Sequence, residues 1–208
     1  MPVKTSGNTG RLMFALDATA SRQPTWDRAC NLQAKMFLTT EKLGGLQVQL
    51  CYYRGFGEFQ HSAWCNSSQQ LLNQMLGVQC LGGYTQIAKV LDLALTETRQ
   101  QPINAVVIIS DAMEENIDAL CNKAGQLGIL NTPLFMFQEG TDPDVSRAYR
   151  QLAHLSNGAY CSFNESSARE LEELLSVVAH YASGGKASLK ELSHVQSAPA
   201  KALLQQLK

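Results

Sequence analysis

Arg11-Leu-Met-Phe-Ala-Leu-Asp17-Ala-Thr19-Ala-Ser21 is a short apolar run that ends in a carboxylate and two hydroxyls at alternate positions. Five successive apolar residues, Leu12 to Leu16, suit a strand covered on both faces. Such strands belong to parallel sheets flanked by helices, where ligands bind in the crevice beyond the strands' carboxyl ends. Asp17 stands at that end of this strand.

Working outward, helices and strands alternate. Pro24 can open a helix in which Trp26, Cys30, Ala34 and Phe37 share one face, and Gly44-Gly45 supplies a stop. Leu46, Val48, Leu50 and Tyr52 alternate with more polar residues, a period-two pattern for a strand beside the first and nearer the sheet edge. Gly55-Phe-Gly57 turns the chain into a short antiparallel edge strand within Glu58 to Trp64. Ser67 to Leu76 reads as a helix, and Gly82-Gly83-Tyr84-Thr85 leads into another whose stripe is Ile87, Leu91 and Ala94. Thr85 therefore sits near a helix N-terminus.

Ala105-Val-Val-Ile-Ile109 is the most apolar run and predicts a central buried strand ending in Ser110-Asp111. A second strand thus also delivers an aspartate at its carboxyl end. A helix over Asn116 to Leu127, a strand over Pro133 to Phe137, a helix from Asp142 through Leu155, a strand over Ala159 to Phe163 and a helix over Ser167 to Tyr181 follow. The expectation is an α/β fold: a doubly wound, mostly parallel, six-stranded Rossmann-like sheet with helices on both faces and one antiparallel edge strand. Residues 1–10 read as a mobile lead-in, 11–183 as the domain, and 184–208 as a tail, mobile or docked, with four lysines against one glutamate.

With 208 residues the chain can bury a full core without staples. A formal net charge of −1 argues against nucleic acid as a partner, because phosphate backbones demand clustered Lys and Arg. Its six cysteines contain no Cys-x-x-Cys pair and read as buried thiols of a reducing compartment. The first ten residues carry no signal-peptide core, and no apolar run approaches the ~20 residues of a membrane span. A cytoplasmic protein with no membrane association is expected.

Asp17-x-Thr19-x-Ser21, then Thr85 at 64 residues beyond Ser21, then Asp111 a further 26 on, stand in one order, each at the matching end of its element. Together they resemble the metal-ion-dependent adhesion site, or MIDAS, of a von Willebrand factor A (VWA) domain, and the resemblance covers residues 10 to 182. It implies Thr19, Ser21 and Thr85 as hydroxyl ligands of a divalent metal, with Asp17 and Asp111 acting directly or through water. Mg²⁺ fits such a set, since it is hard and takes oxygen ligands; Mn²⁺ and Ca²⁺ are the alternatives. Neutral hydroxyls leave the ion short of negative charge, so it can draw a further ligand from a partner's Asp or Glu. The resemblance thus implies a non-enzymatic protein-interaction module. Two departures stand out: Thr19 replaces the family's first Ser, and Ala112 stands where many members have Gly.

Glu114 and Glu115 read either as a solvated helix start, where acids suit the dipole, or as groups that adjust the site's charge. The rival function is a haloacid-dehalogenase-type phosphatase, which places a nucleophilic Asp at the end of its first strand with Mg²⁺. Such enzymes need a second Asp where Thr19 stands, and Ser110-Asp111-Ala112 holds only one carboxylate. A metal-free scaffold is the third reading. His61, His154, His180 and His194 show no ligand spacing.

Overall fold

A computed structural model describes residues 9–40, 45–164, 167–192 and 195–207. Most of the 1–10 lead-in, Gly44, His194 and the side chains of Ala34 and Phe37 lie outside the described residues. The opening stretch forms strand β1 (Gly10–Asp17), buried along its whole length. Its alternate side chains enter two separate cores. Leu12, Phe14 and Leu16 face one, Met13 and Ala15 the other, which is why the run contains no polar residue until Asp17.

The remaining elements follow in order: α1 (Gln23–Thr40), β2 (Leu46–Arg54), β3 (Glu58–His61), α2 (Ser68–Met75), α3 (Ile87–Gln100), β4 (Ala105–Ser110), α4 (Ile117–Ile129), β5 (Leu134–Glu139), α5 (Pro143–Leu155), β6 (Ala159–Phe163), α6 (Ala168–Ser188) and α7 (Ala198–Gln206). The sheet runs β3-β2-β1-β4-β5-β6, parallel throughout except for β3. One core packs α1, α2, α6 and α7 on the sheet, and the opposite core packs α3, α4 and α5. The expected doubly wound sheet with an antiparallel edge is therefore the observed one. Caps explain several boundaries, since the side chains of Ser67, Asn116, Asp142, Ser167 and Ser197 each accept from a first-turn N–H.

Beyond Tyr181 the sequence reading and the structure differ. α6 runs on to Ser188, broken only at Gly185, where φ is 62°. Residues after it return to the sheet as α7, burying Ala200, Leu203 and Leu207. Gln206 completes this docking: its side-chain carbonyl accepts from Tyr160 N at 3.1 Å and its amide donates to Tyr160 O at 2.8 Å. β6 is an edge strand, and the Gln206 amide satisfies the N–H and C=O of Tyr160, which a neighbouring strand would otherwise bind. Among the described residues no helix is long and apolar enough to cross a membrane.

Candidate functional site

The register pairs Leu16 of β1 with Ile109 of β4, so the residues that follow, Asp17 and Ser110, lie side by side at the carboxyl end of the sheet. Ser110 Oγ donates to Asp17 Oδ2 at 2.6 Å, and the Thr19 backbone N–H donates to Asp17 Oδ1 at 2.8 Å. Asp17 is only 2% exposed. Burial pushes its carboxyl pKa up; the hydrogen bonds from Ser110 and Thr19 oppose this and nearby Asp111 adds to it. Beneath lie two fully buried tyrosines, Tyr53 opposite Asp17 in the β1–β2 register and Tyr149, whose hydroxyl donates to Ala112 O at 2.7 Å. Burial raises both phenols well above their usual range.

After Asp17 the chain leaves the sheet, and residues Ala20–Arg22 make a single 3-10 turn that leads into α1. Ser21 is exposed on this turn. Arg22 points inward: its Nε donates to Ser21 Oγ at 3.3 Å, and its guanidinium pairs with Asp111 Oδ2 at 3.1 Å and with Glu139 Oε2 at 2.5 Å. Glu139, at the end of β5, also accepts from Thr25 Oγ1, which lies 2.6 Å from each carboxylate oxygen.

Thr85 reaches the same end of the sheet through a loop pinned on two sides. Leu81 N donates to Ala18 O at 3.0 Å and Tyr84 N to Gly55 O at 3.3 Å. The approach to the β2–β3 hairpin is close enough that a Cβ at Gly83 would stand 1.9 Å from Gly55 O, so only glycine fits there. Thr85 is 5% exposed; its N–H and hydroxyl donate to Glu114 Oε2 at 3.0 and 2.6 Å, and its hydroxyl accepts from Glu114 N at 3.2 Å. Next to it, Glu115 accepts from Ile87 N at 2.5 Å and Ala88 N at 2.9 Å. The two glutamates thus do not serve as a solvated start of their own helix, and Glu114 stands against a candidate ligand, as the charge-adjusting reading requires. They cross to α3 and occupy its free N-terminal N–H groups and the hydroxyl before it.

Of the five residues singled out from sequence, Asp17 and Thr19 are joined by a hydrogen bond, Ser21 and Asp111 share Arg22, and Thr85 bonds Glu114, three residues beyond Asp111 in the chain, rather than any of the other four. The set offers three hydroxyls and two carboxylates, the hard oxygens that Mg²⁺ or Mn²⁺ takes. Its chemistry fits a divalent cation on one observation in particular: the hydrogen bonds to buried Asp17 come from neutral groups, Ser110 Oγ–H and Thr19 N–H. Among the described residues no group of three or more His, Cys, Asp or Glu side chains is placed to hold a metal, so an ion here would depend on the hydroxyls. Arg22, Glu139 and Thr25 were not foreseen. Only the position of Arg22, directly after Ser21, marked it in the sequence.

No family model and no curated protein matches the sequence. Solved structures do match, and they define the architecture as that of a VWA-like domain. The SpRpn10 VWA domain superimposes with a TM-score of 0.60 at 14% identity, covering 86% of this chain and 98% of that one. PilB minor pilin from Streptococcus sanguinis gives 0.67 at 9% identity, over 95% of this chain and 65% of the pilin. Proximal thread matrix protein 1 from the mussel byssus, with zinc in its MIDAS motif, gives 0.63 at 14% identity, over 84% of this chain and 46% of that one. At these identities the likeness is one of fold.

Proposed function

We propose that this protein is a non-enzymatic, cytoplasmic protein-interaction module that engages a partner's Asp or Glu at the carboxyl end of its sheet, through a divalent cation held by Asp17, Thr19, Ser21, Thr85 and Asp111. The observation that carries the reading is the buried Asp17 carboxylate, hydrogen-bonded by the neutral donors Ser110 Oγ–H and Thr19 N–H and close enough to the Asp111 carboxylate to be affected by its charge. A mussel protein of the same fold with zinc in its MIDAS motif supports it. So does a crystal structure of a pilus adhesin, SpaC from Lactobacillus rhamnosus GG, which aligns with a TM-score of 0.61 at 12% identity over 88% of this chain and 30% of that one. All six cysteines are free thiols, in keeping with a reducing compartment.

A bound cation would supply an incompletely filled coordination shell for the partner's carboxylate. The chain's own part is orientation. Ser110 and Thr19 N–H fix the Asp17 carboxylate in one rotamer, and the loop through Gly83 presents Thr85. Calorimetric titration with Mg²⁺, Mn²⁺ and Zn²⁺ tests the reading. Binding to the wild type that Asp17→Ala abolishes supports it, and the absence of heat and of thermal shift with every ion refutes it. The cation-free scaffold has one observation in its favour, the pairing of Asp111 with Arg22.

A further inference from the structure

Arg22 follows Ser21 directly, where a solvent-facing side chain would be unremarkable, yet it is only 6% exposed. Its guanidinium is divided between two carboxylates with different surroundings. Glu139 is 5% exposed, lies closer at 2.5 Å and is fixed from its far side by Thr25. The Asp111 side chain is 30% exposed and lies at 3.1 Å, and it belongs to the candidate metal site while Glu139 does not. Asp111 and Glu139 thus share one guanidinium, two carboxylates against one positive charge, while Asp17, near enough to Asp111 to feel its charge, is bonded by neutral donors. If Arg22 is assigned wholly to Glu139, Asp111 loses its cationic partner and stands with Asp17 as the two carboxylates of the site.

We propose that Arg22 is a built-in competitor for the site's divalent cation: it holds Asp111 in the metal-free protein and gives Asp111 up, staying on Glu139, when the site is loaded. This rests on the metal-binding reading above. Glu139 is then a positioning residue that never touches the ion; it sets how readily Arg22 lets go. Ion pairs in partly buried surroundings are strong enough for such competition to change affinity by roughly tenfold or more.

The experiment is isothermal calorimetry with Mn²⁺ and Mg²⁺ on the wild type, Glu139→Gln and the double variant Arg22→Met/Glu139→Gln. The glutamine keeps the Thr25 contact, and the double variant removes both charges of the buried Arg22–Glu139 pair together, so both are built to fold; a thermal melt in EDTA verifies this. Removing the Glu139 charge throws Arg22 onto Asp111 and weakens binding roughly tenfold. Removing the rival together with its anchor tightens binding by a similar factor over the wild type. In the wild type itself, the Arg22 Nε resonance in ¹⁵N NMR shifts as metal is added, a measurement that needs no variant. If all three proteins bind metal equally and the Arg22 signal stays put, the competition is refuted while the metal site stands. If even the double variant binds no metal, both readings fall together.

Discussion

Glu114→Ala isolates the contact that holds Thr85 in place. The substitution removes one carboxylate oxygen that accepts from both the N–H and the hydroxyl of a residue 5% exposed, at 3.0 and 2.6 Å. Hydrogen bonds to a charged acceptor contribute about 1.5–3 kcal/mol when sheltered, but Glu114 itself is solvent-exposed and water can replace part of what it supplies. The value therefore falls below that range, about 1 kcal/mol for each donor and about 2 in total. For a chain of this length that is a fall in Tm of roughly 4–8 °C, read by circular dichroism in EDTA so that adventitious metal plays no part. Glu114→Gln retains an acceptor without the charge and falls roughly midway. Pairing Glu114→Ala with Thr85→Val in a double-mutant cycle separates the hydroxyl contact from general damage: a coupling of about 1 kcal/mol is expected. Additivity within about 0.5 kcal/mol, or an unchanged Tm in Glu114→Ala, would show that Glu114 does not anchor Thr85 and that the loop's position rests on the Gly55 and Ala18 contacts alone.

Asp17→Asn should stabilise the metal-free protein by about 0.5–2 kcal/mol while eliminating any response to divalent ions, because the native carboxylate is held charged in a buried position at a cost. Ser110 can accommodate the amide by turning its own hydrogen to Ala112 O, 3.3 Å away. Since burial raises the folded-state pKa of Asp17, the wild type's penalty is complete above that value and disappears as pH falls to the ordinary aspartate range near ~4. The stability gap between Asn and Asp, from urea melts across pH, should therefore close in acid; a gap that widens there refutes the assignment. Gly83→Ala places a Cβ 1.9 Å from Gly55 O and should cost about 1–3 kcal/mol, whereas Gly82→Ala, with nothing within 4 Å, should stay within about 0.5. Leu203→Ala in α7 should cost about 2–5 kcal/mol in urea unfolding with an unchanged m-value, since Leu203 is fully buried; a neutral result would mean that α7 does not dock in solution.

The sheet was legible because its signals are local and redundant. β1 and β4 are apolar without interruption, and that pattern arises from burial on both faces, so it announced parallel strands between helix layers before any topology was known. Helix starts were equally plain where Asn116 and Asp142 cap them. The end of the domain was harder. Ser183-Gly184-Gly185 has the composition of a stop, but α6 passes through the first two residues and turns only at Gly185. The docking of α7 depends on Leu203 meeting the core and on Gln206 meeting an edge strand 46 residues earlier, a contact that no local pattern encodes.

The same distinction governs the site. Asp17, Thr19, Ser21, Thr85 and Asp111 were singled out because motif order and strand ends point to one edge of the sheet. What each of them touches was not visible, since it depends on side chains brought in from other elements: Glu114 from the β4–α4 loop, Glu139 from the end of β5, Arg22 from the turn before α1. Arg22 matters most here. A list of oxygen donors describes a site by what it offers to a cation, and it leaves out a cation that the chain itself supplies. With Asp111 and Ser21 engaged by Arg22, Asp17 by Ser110 and the Thr19 N–H, and the Thr85 hydroxyl by Glu114, four of the five donors are already engaged in the metal-free protein. On the proposed function, a cation arriving here would gain new ligands only by breaking existing contacts, so its affinity would depend on Glu139 and Glu114 as much as on the motif that suggests the site.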